Sequence, residues 1–270
     1  MKIAVTGPRG RLGSWLVSEC GCLPLDCDIT SRESIRVALK TVSPDVLINC
    51  AAWTDVDGAE NSANMERVLA VNLRGVGNLR VSFDGLFVHI STGFVFSGKR
   101  GPYSEKAGWK PLNIYGWSKL GGEAAAEVRT WTLVVRVADL YGVGPKVDFV
   151  RSIRDAVALG MPKPLPDNLQ KTPTYIPHLA QGLMAAIGQN LTGVLHIAGA
   201  DTMSTFTWGR MIAEHFGFDP TLIIKGPVTG VAPRPQRAGL QTAKATSLGI
   251  PIYAAKAGLE ALSAWEKEHA

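Results

Sequence analysis

Short runs that are apolar throughout alternate along this chain with longer stretches in which apolar residues recur at helical spacing. Ile3 to Val5 is apolar at every position and is closed by Gly7, which reads as a buried strand. Leu12 to Glu19 then has helical character. Val46 to Ala52, led in by Pro44-Asp45, reads as a second buried strand, Leu86 to Ser91 as a third and Leu133 to Val137 as a fourth. Helices are expected between them over Ser34 to Thr41, Asn61 to Asn78 and Ser118 to Thr130. Strands without a polar face, separated by helices, predict a parallel sheet covered on both sides: an α/β, doubly wound fold. After Tyr141 the texture changes. Pro162, Pro164, Pro166 and Pro173 crowd one region, and a Pro/Gly-rich stretch runs from Gly226 to Gly239. A helix over Ile176 to Ile187 and a strand over Val194 to Ala198 still look like core and should return to the main sheet. The expected division is therefore a sheet domain over 1–144 plus 173–199 and a smaller, discontinuous lobe over 145–172 plus 200–270. The lobe should lie over the carboxyl ends of the strands, where doubly wound folds bind ligands.

Hydrophobic residues make up 46% of the 270 positions and charged residues 19%, enough for a sizeable core and too apolar for a disordered chain. The formal net charge of +5 raises nucleic-acid binding as a reading. No dense Lys/Arg cluster and no interleaving of basic with aromatic residues supports it, so no nucleic-acid partner is expected. A mildly basic surface suits an anionic small molecule equally well. Cys20, Cys22, Cys27 and Cys50 form neither a C-x-x-C motif nor half of a zinc pattern, and the histidines form no constellation, so no metal is expected. Reduced thiols, no signal peptide and no apolar run of membrane-spanning length give a cytoplasmic expectation with no membrane partner.

Two segments carry candidate chemistry. Thr6-Gly7-Pro8-Arg9-Gly10-Arg11-Leu12-Gly13 joins the first strand to the first helix with glycines in G-x-x-G-x-x-G spacing. Such a turn needs glycine for its backbone angles. Its bare backbone also lets a pyrophosphate reach a helix N-terminus, where unpaired N–H groups and the dipole favour negative charge. The second segment is Tyr115-Gly116-Trp117-Ser118-Lys119. Tyr and Lys four apart share a helix face. A neighbouring ammonium favours phenolate and should lower the Tyr115 pKa toward the working range, so that Tyr115 exchanges a proton with a carbonyl or alcohol while hydride moves to or from nicotinamide. Ser91-Thr92 ends the third strand and offers a hydroxyl to the reacting oxygen at the same sheet edge. His89 reads as a satisfied core histidine, Asp55 and Asp57 as solvated or turn-capping groups, and Trp53 and Trp117 as flanks of the site.

Taken together these residues resemble the dTDP-4-dehydrorhamnose reductase branch of the extended short-chain dehydrogenases. The resemblance spans nearly the whole chain. It runs through the glycine loop, Asn49-Cys50-Ala51-Ala52-Trp53-Thr54-Asp55-Val56-Asp57-Gly58-Ala59-Glu60, Val71-Asn72, Ser91-Thr92-Gly93-Phe94-Val95-Phe96-Ser97-Gly98, Pro111-Leu112-Asn113-Ile114-Tyr115-Gly116, Thr172-Pro173-Thr174 and Arg234-Pro235. It implies a Rossmann-type NAD(P)-binding domain beside a substrate-binding lobe, and reduction of the 4-keto group of a nucleotide-linked 6-deoxy sugar. Residue by residue it implies a catalytic set of Thr92, Tyr115 and Lys119, with Tyr115 as proton donor and Lys119 on the nicotinamide ribose. Gly7, Gly10 and Gly13 would line the pyrophosphate, Ala51 and Ala52 would lie along the cofactor, and Asp28-Ile29 would approach the adenine. The chain departs from the pattern at Gly93 and Phe94, where the family has Asp-Tyr, at Asp139-Leu140, and at Gln236-Arg237-Ala238 after Arg-Pro.

Cofactor choice follows from a shortened segment. The stretch Cys20 to Asp28 leaves little room for a full strand with an acidic end, the usual partner of a ribose 2′-hydroxyl. Arg9 and Arg11, with Leu12, sit in the glycine loop, where a guanidinium could engage a 2′-phosphate. NADP(H) is therefore favoured, with NAD(H) as the alternative. Expected partners are a nucleotide-sugar substrate and, as one option, a second copy of the chain. The competing functions are an epimerase, a reductase acting on a GDP- or UDP-linked sugar, and a non-catalytic regulatory subunit such as that of methionine adenosyltransferase.

Overall fold

A computed structural model of the chain describes residues 1–144 and 147–269. Six parallel strands form the central sheet: β1 (Ile3–Thr6), β2 (Leu23–Pro24), β3 (Val46–Asn49), β4 (Leu86–Thr92), β5 (Thr132–Val137) and β10 (Gly193–His196), in the order β10-β5-β4-β3-β1-β2. The direction of the crossovers reverses between β1 and β3, the doubly wound topology that the apolar runs predict. Alternate side chains serve opposite faces. Val5, Ile48, Val88 and Val135 pack with α1 (Arg11–Ser18) and α7 (Ile176–Gly188), while Ala4, Leu47, Phe87 and Val134 pack with α2 (Arg32–Val42) and α4 (Val76–Ser82). Both faces are fully buried at these positions, so truncating Leu47 or Phe87 to Ala should cost about 2–5 kcal/mol.

The helices begin where a side chain satisfies their free N–H groups. Ser31 caps α2 through Ser34 N at 3.2 Å. Asn113 caps α5 (Ile114–Ala126) through Gly116 N at 2.7 Å, so α5 starts four residues before the expected Ser118 and takes Tyr115 into its first turn. The expected helix over Asn61 to Asn78 is α3 (Ser62–Leu69) and α4 joined by a π-helical turn, Ala70–Gly75. The extra residue in that turn re-aims Asn72 inward.

The two core pieces expected downstream do return to the sheet, as α7 and as β10 beside β5. A second hydrophobic cluster stands apart from the sheet. It joins α6 (Phe149–Ala158), α8 (Thr205–His215) and α10 (Ala255–Glu268) through Val150, Ile153, Trp208, Ile212 and Leu259. Short strand pairs stitch this region together: β6 (Leu140–Tyr141) with β9 (Thr174–Tyr175), β7 (Lys163–Leu165) with β12 (Ile223–Lys225), and β8 (Gln170–Lys171) with β11 (Met203–Ser204). The expected lobe of 200–270 needs one correction. Ala245, in α9 (Ala243–Ser247), and Ile250 pack into the sheet's own core, because their apolar side chains meet the uncovered edge beside β10. The expected boundary after residue 144 lies outside the described residues. Among the described residues no helix is long and apolar enough to cross a membrane, and no cluster of three or more His, Cys, Asp or Glu could hold a metal.

Candidate active site

The glycine loop closes over the end of β1. Gly7 has φ +65°, a conformation that favours glycine, and a Cβ there would press to 2.9 Å from the Ala51 backbone. A Cβ at Gly13 would collide with the Gly7 carbonyl, and one at Gly10, the N-cap of α1, would come within 3.3 Å of the same oxygen. No side chain caps α1, so its first N–H groups face the space left open by the three glycines.

The two loop arginines part company. Arg9 is exposed and pairs with Asp26, Nη2 to Oδ1 at 2.9 Å and to Oδ2 at 3.1 Å. Arg11 does not stand free for a 2′-phosphate. Its guanidinium donates to the carbonyls of Leu140 at 3.2 Å and Val147 at 2.7 Å, because its stem lies against Gly144 and a half-buried donor must find an acceptor. The adenine-side candidates are also committed elsewhere. The Asp28 carboxylate accepts from Thr30 N at 2.9 Å and Thr30 Oγ1 at 2.7 Å, which holds its pKa down. Ile29 is a core residue beside Val76 and Leu79.

A cleft of about 470 Å³ runs from this loop to the carboxyl end of β4. Gly10, Arg11, Leu12 and Gly13 line one end, with Ala52 beside them, and Thr92, Tyr115 and Lys119 line the other. Gly7, Arg9, Asp28, Ile29 and Ala51 are not among its lining residues, and neither are Trp53 and Trp117. Thr92 ends β4 and accepts from Phe94 N at 3.2 Å, while the Ser91 hydroxyl is spent on buried Glu123. Phe94 packs edge-on against the Tyr115 ring at 5.6 Å. Gly93, where the family carries Asp, lies under the Pro/Gly-rich strap: a Cβ there would stand 3.2 Å from the Ala238 carbonyl oxygen.

Tyr115 and Lys119 are both buried. The expected lowering of the Tyr115 pKa is not what this geometry gives. Burial pushes the phenol up to about 12, against a smaller opposing pull from the Thr92 hydroxyl, because Lys119 spends its donors elsewhere. Lys119 Nζ donates to the Ile90 carbonyl at 2.7 Å and faces His89 Nε2 at 3.3 Å. Burial lowers the Lys119 pKa to about 8, against the raising effects of Glu123 and Cys50. A phenol that stays protonated beside an ammonium that titrates near neutrality is suited to giving up a proton, not to starting as phenolate.

Several functional candidates were not legible as such. Asn72, aimed inward by the π-helical turn, accepts from Trp53 N at 2.8 Å and donates to Trp53 O at 3.0 Å and Ser118 Oγ at 2.9 Å, pinning the cleft wall to α5. Asp57 is no simple turn cap. It accepts from Val231 N and Ala232 N, both at 2.9 Å, and from Arg234 Nη2 at 2.6 Å, so it fastens the strap over the cleft; these bonds, Ala232 first, hold its pKa down. Arg234, Gln170 and Lys171 form the wall across from Tyr115. Asp139 accepts from Lys171 Nζ at 2.7 Å and Thr172 N at 2.8 Å. Arg234 Nη1 and Gln170 Oε1 are buried and have no hydrogen-bond partner among the described residues. The only sequence signal for this wall was Arg234-Pro235 within the resemblance.

Fold and site geometry are those of a Rossmann-type oxidoreductase. The chain belongs to the family described as RmlD substrate binding domain, whose model matches residues 1–266. It is 35% identical over 234 residues to a dTDP-4-dehydrorhamnose reductase of Mycolicibacterium smegmatis, covering 81% of this chain and 70% of that one. It is 28% identical to methionine adenosyltransferase 2 subunit beta of Danio rerio, over 93% of this chain and 86% of the relative. Among solved structures it is similar to dTDP-4-dehydrorhamnose reductase from Bacillus anthracis in complex with NADP, with a TM-score of 0.85, 27% identity and coverage of 97% and 99%.

Proposed function

We propose that this chain reduces the 4-keto group of a nucleotide-linked 6-deoxy sugar, dTDP-4-dehydrorhamnose or a close analogue, with NADPH favoured and NADH as the alternative. The observation that carries this reading is the convergence of Thr92, Tyr115 and Lys119 on one cleft whose far end is the glycine loop. The NADP complex of the B. anthracis relative supports the cofactor. The residues present fit a dinucleotide: Gly10 and Gly13 line the cleft at the uncapped start of α1, and a Cβ at Gly7 or Gly13 would displace the backbone that shapes this turn. Bound there, a reduced nicotinamide supplies hydride to the carbonyl carbon.

The rest is the work of the chain's own side chains. Tyr115, kept protonated by burial, donates its proton to the carbonyl oxygen as charge develops there. The resulting phenolate accepts from the Thr92 hydroxyl and is favoured by the charge of the Lys119 ammonium one helical turn away, which its hydrogen bond to Ile90 holds in place. Arg234, Lys171 and Gln170 hold the nucleotide sugar against them, with Arg234 Nη1 donating to phosphate or sugar oxygen and Gln170 Oε1 accepting from a hydroxyl or imide N–H. In this reading 1–144 plus 173–199, joined by 240–252, is the cofactor domain. The second hydrophobic cluster then forms the core of the substrate lobe.

The test is to supply NADPH together with dTDP-4-dehydrorhamnose and follow the absorbance of the reduced nicotinamide. Oxidation matched by a new sugar alcohol is expected. The similarity to a regulatory subunit motivates a second reading, a nucleotide-binding subunit that acts through a partner. NADPH that binds and stays unreacted with dTDP-, GDP- and UDP-linked 4-keto sugars would sink the first reading in favour of the second.

A further inference from the structure

Behind the catalytic wall a line of polar side chains crosses three neighbouring strands. Thr6, Asn49 and His89 occupy matched register positions on β1, β3 and β4, so all three point to the face of the sheet covered by α5. All are buried. Thr6 Oγ1 donates to Asn49 Oδ1 at 2.6 Å, the Asn49 amide nitrogen meets His89 Nδ1 at 3.1 Å, and His89 Nε2 faces Lys119 Nζ at 3.3 Å. Gly122 lets α5 approach this closely, since a Cβ there would stand 3.3 Å from His89 Nε2 and collide with the Asn72 carbonyl.

We propose that Thr6, Asn49 and His89 act together to position Lys119 and govern its protonation, His89 being the positioning residue that touches it. This rests on the reductase reading above. The tautomer of His89 decides which form of Lys119 is favoured. Its ring is buried between uncharged amides and a lysine, and burial, then the Lys119 charge, holds its pKa well below the ordinary value. The ring is therefore neutral, with one N–H and one lone pair. A separation of 2.6 Å at Thr6 has the length of an O–H···O bond and is short for an amide N–H donor. That turns the Asn49 oxygen toward Thr6 and its NH2 toward His89. Nδ1 then accepts, and the ring proton sits on Nε2, aimed at Lys119.

An N–H cannot accept from an ammonium. It opposes the charged form and is satisfied by the lone pair of the neutral amine. The other groups around Lys119 divide as follows. Glu123, one turn on along α5, favours the charge. Its carboxylate is already shared with Arg136, from β5, at 2.7 and 2.9 Å and with Ser91, from β4. The Cys50 thiol, just past β3, is the other titratable group that acts on Lys119 among the described residues, and the Ile90 carbonyl accepts from Lys119 in either state. Beside burial itself, His89 is thus the group in contact with Lys119 that works against the ammonium, and Asn49 and Thr6 decide which way its ring proton points. The line also begins one residue before Gly7, which ties the catalytic lysine to the start of the glycine loop.

The experiment is NMR of isotopically labelled protein, which needs no substrate. The His89 ring nitrogens should report the Nε2–H tautomer across the neutral range. The Lys119 side-chain titration should move upward by about one pH unit in His89→Gln, whose amide oxygen can accept from the ammonium, and in the same direction, by less, in Thr6→Val, which keeps the shape and removes the donor that orients Asn49. In the active enzyme the alkaline limb of kcat should move with it, while KM for the sugar stays put. An Nδ1–H tautomer in the wild type, or a Lys119 midpoint that is unmoved or lowered in the variants, would overturn the proposal. Should His89→Gln not fold, the wild-type tautomer and Thr6→Val decide it. A wild type that leaves NADPH unreacted would count against the reductase reading alone, since the NMR readouts do not depend on turnover.

Discussion

The two ends of the cleft are held in opposite ways. At one end Lys119, His89 and Asn49 are buried and tied to one another, and Tyr115 is buried beside Thr92. Beyond the other end, outside its lining, Arg9 and Asp26 are 84% and 63% exposed, and among the described residues their side chains pair with each other. Burial makes a missing or misdirected hydrogen bond expensive, about 1–3 kcal/mol each, whereas solvent and salt screen an exposed pair to little effect. The reacting end of the site is therefore fixed by the fold. If the proposed ribose contact lies at Arg9, it rests on one exchangeable ion pair, and cofactor selectivity should yield to single substitutions that leave the chemistry alone.

That contrast predicts a graded series. The largest effect belongs to Tyr115→Phe, which keeps the ring and removes the exchangeable proton. Turnover should fall about 100- to 10,000-fold with NADPH affinity nearly unchanged, and a rate within a few-fold of wild type would remove Tyr115 from the mechanism. Gly13→Ala comes next. Its Cβ would drive into the Gly7 carbonyl, so NADPH affinity, read by fluorescence titration, should drop by roughly tenfold or more even where the protein stays folded.

The pH dependence of kcat follows. Because burial lowers the Lys119 pKa to about 8, the ammonium that stabilises phenolate is present below that pH and lost above it, so kcat should fall as pH rises through about 8. Lys119→Met should be slower, bind cofactor more weakly and lack that limb; an unchanged profile would count against the role of the charge.

The smallest effect lies at the exposed end. Asp26→Asn releases Arg9 and should raise the preference for NADPH over NADH roughly 3- to 10-fold, while Arg9→Ala should lower it by a similar factor. If both variants leave the ratio of cofactor affinities alone, the determinant is elsewhere and the contrast between the two ends loses its basis.

Much of this arrangement could be read from local pattern. Val46 to Asn49 and Leu86 to Ser91 are apolar because both faces of the sheet are covered, and the Tyr115–Lys119 spacing fixes a shared helix face whatever lies around it. Local pattern also carried the shortness of β2, since nine residues from Cys20 to Asp28 leave space for only Leu23-Pro24. What escaped depended on partners far along the chain. Arg11 is taken up by carbonyls at Leu140 and Val147, and Asp57 by a strap more than 170 residues away, so neither role leaves a mark near the residue itself. Asn72 was hidden because a π-helical turn interrupts the helix without disturbing its composition. The Tyr115 pKa was misjudged for a related reason. The spacing predicts a shared face, but the donors of Lys119 go to Ile90 and meet His89, and burial outweighs what remains.

Tyr115 and the glycine loop should serve one reaction, hydride delivery to a 4-keto sugar. It is tested most directly with NADPH deuterated at the transferring position of the nicotinamide, and with dTDP-4-dehydrorhamnose as acceptor. The expected product is a sugar alcohol carrying one deuteron at C4, formed by the wild type and nearly absent with Tyr115→Phe. A product without the label, or cofactor that remains fully deuterated and reduced beside intact substrate, would contradict it.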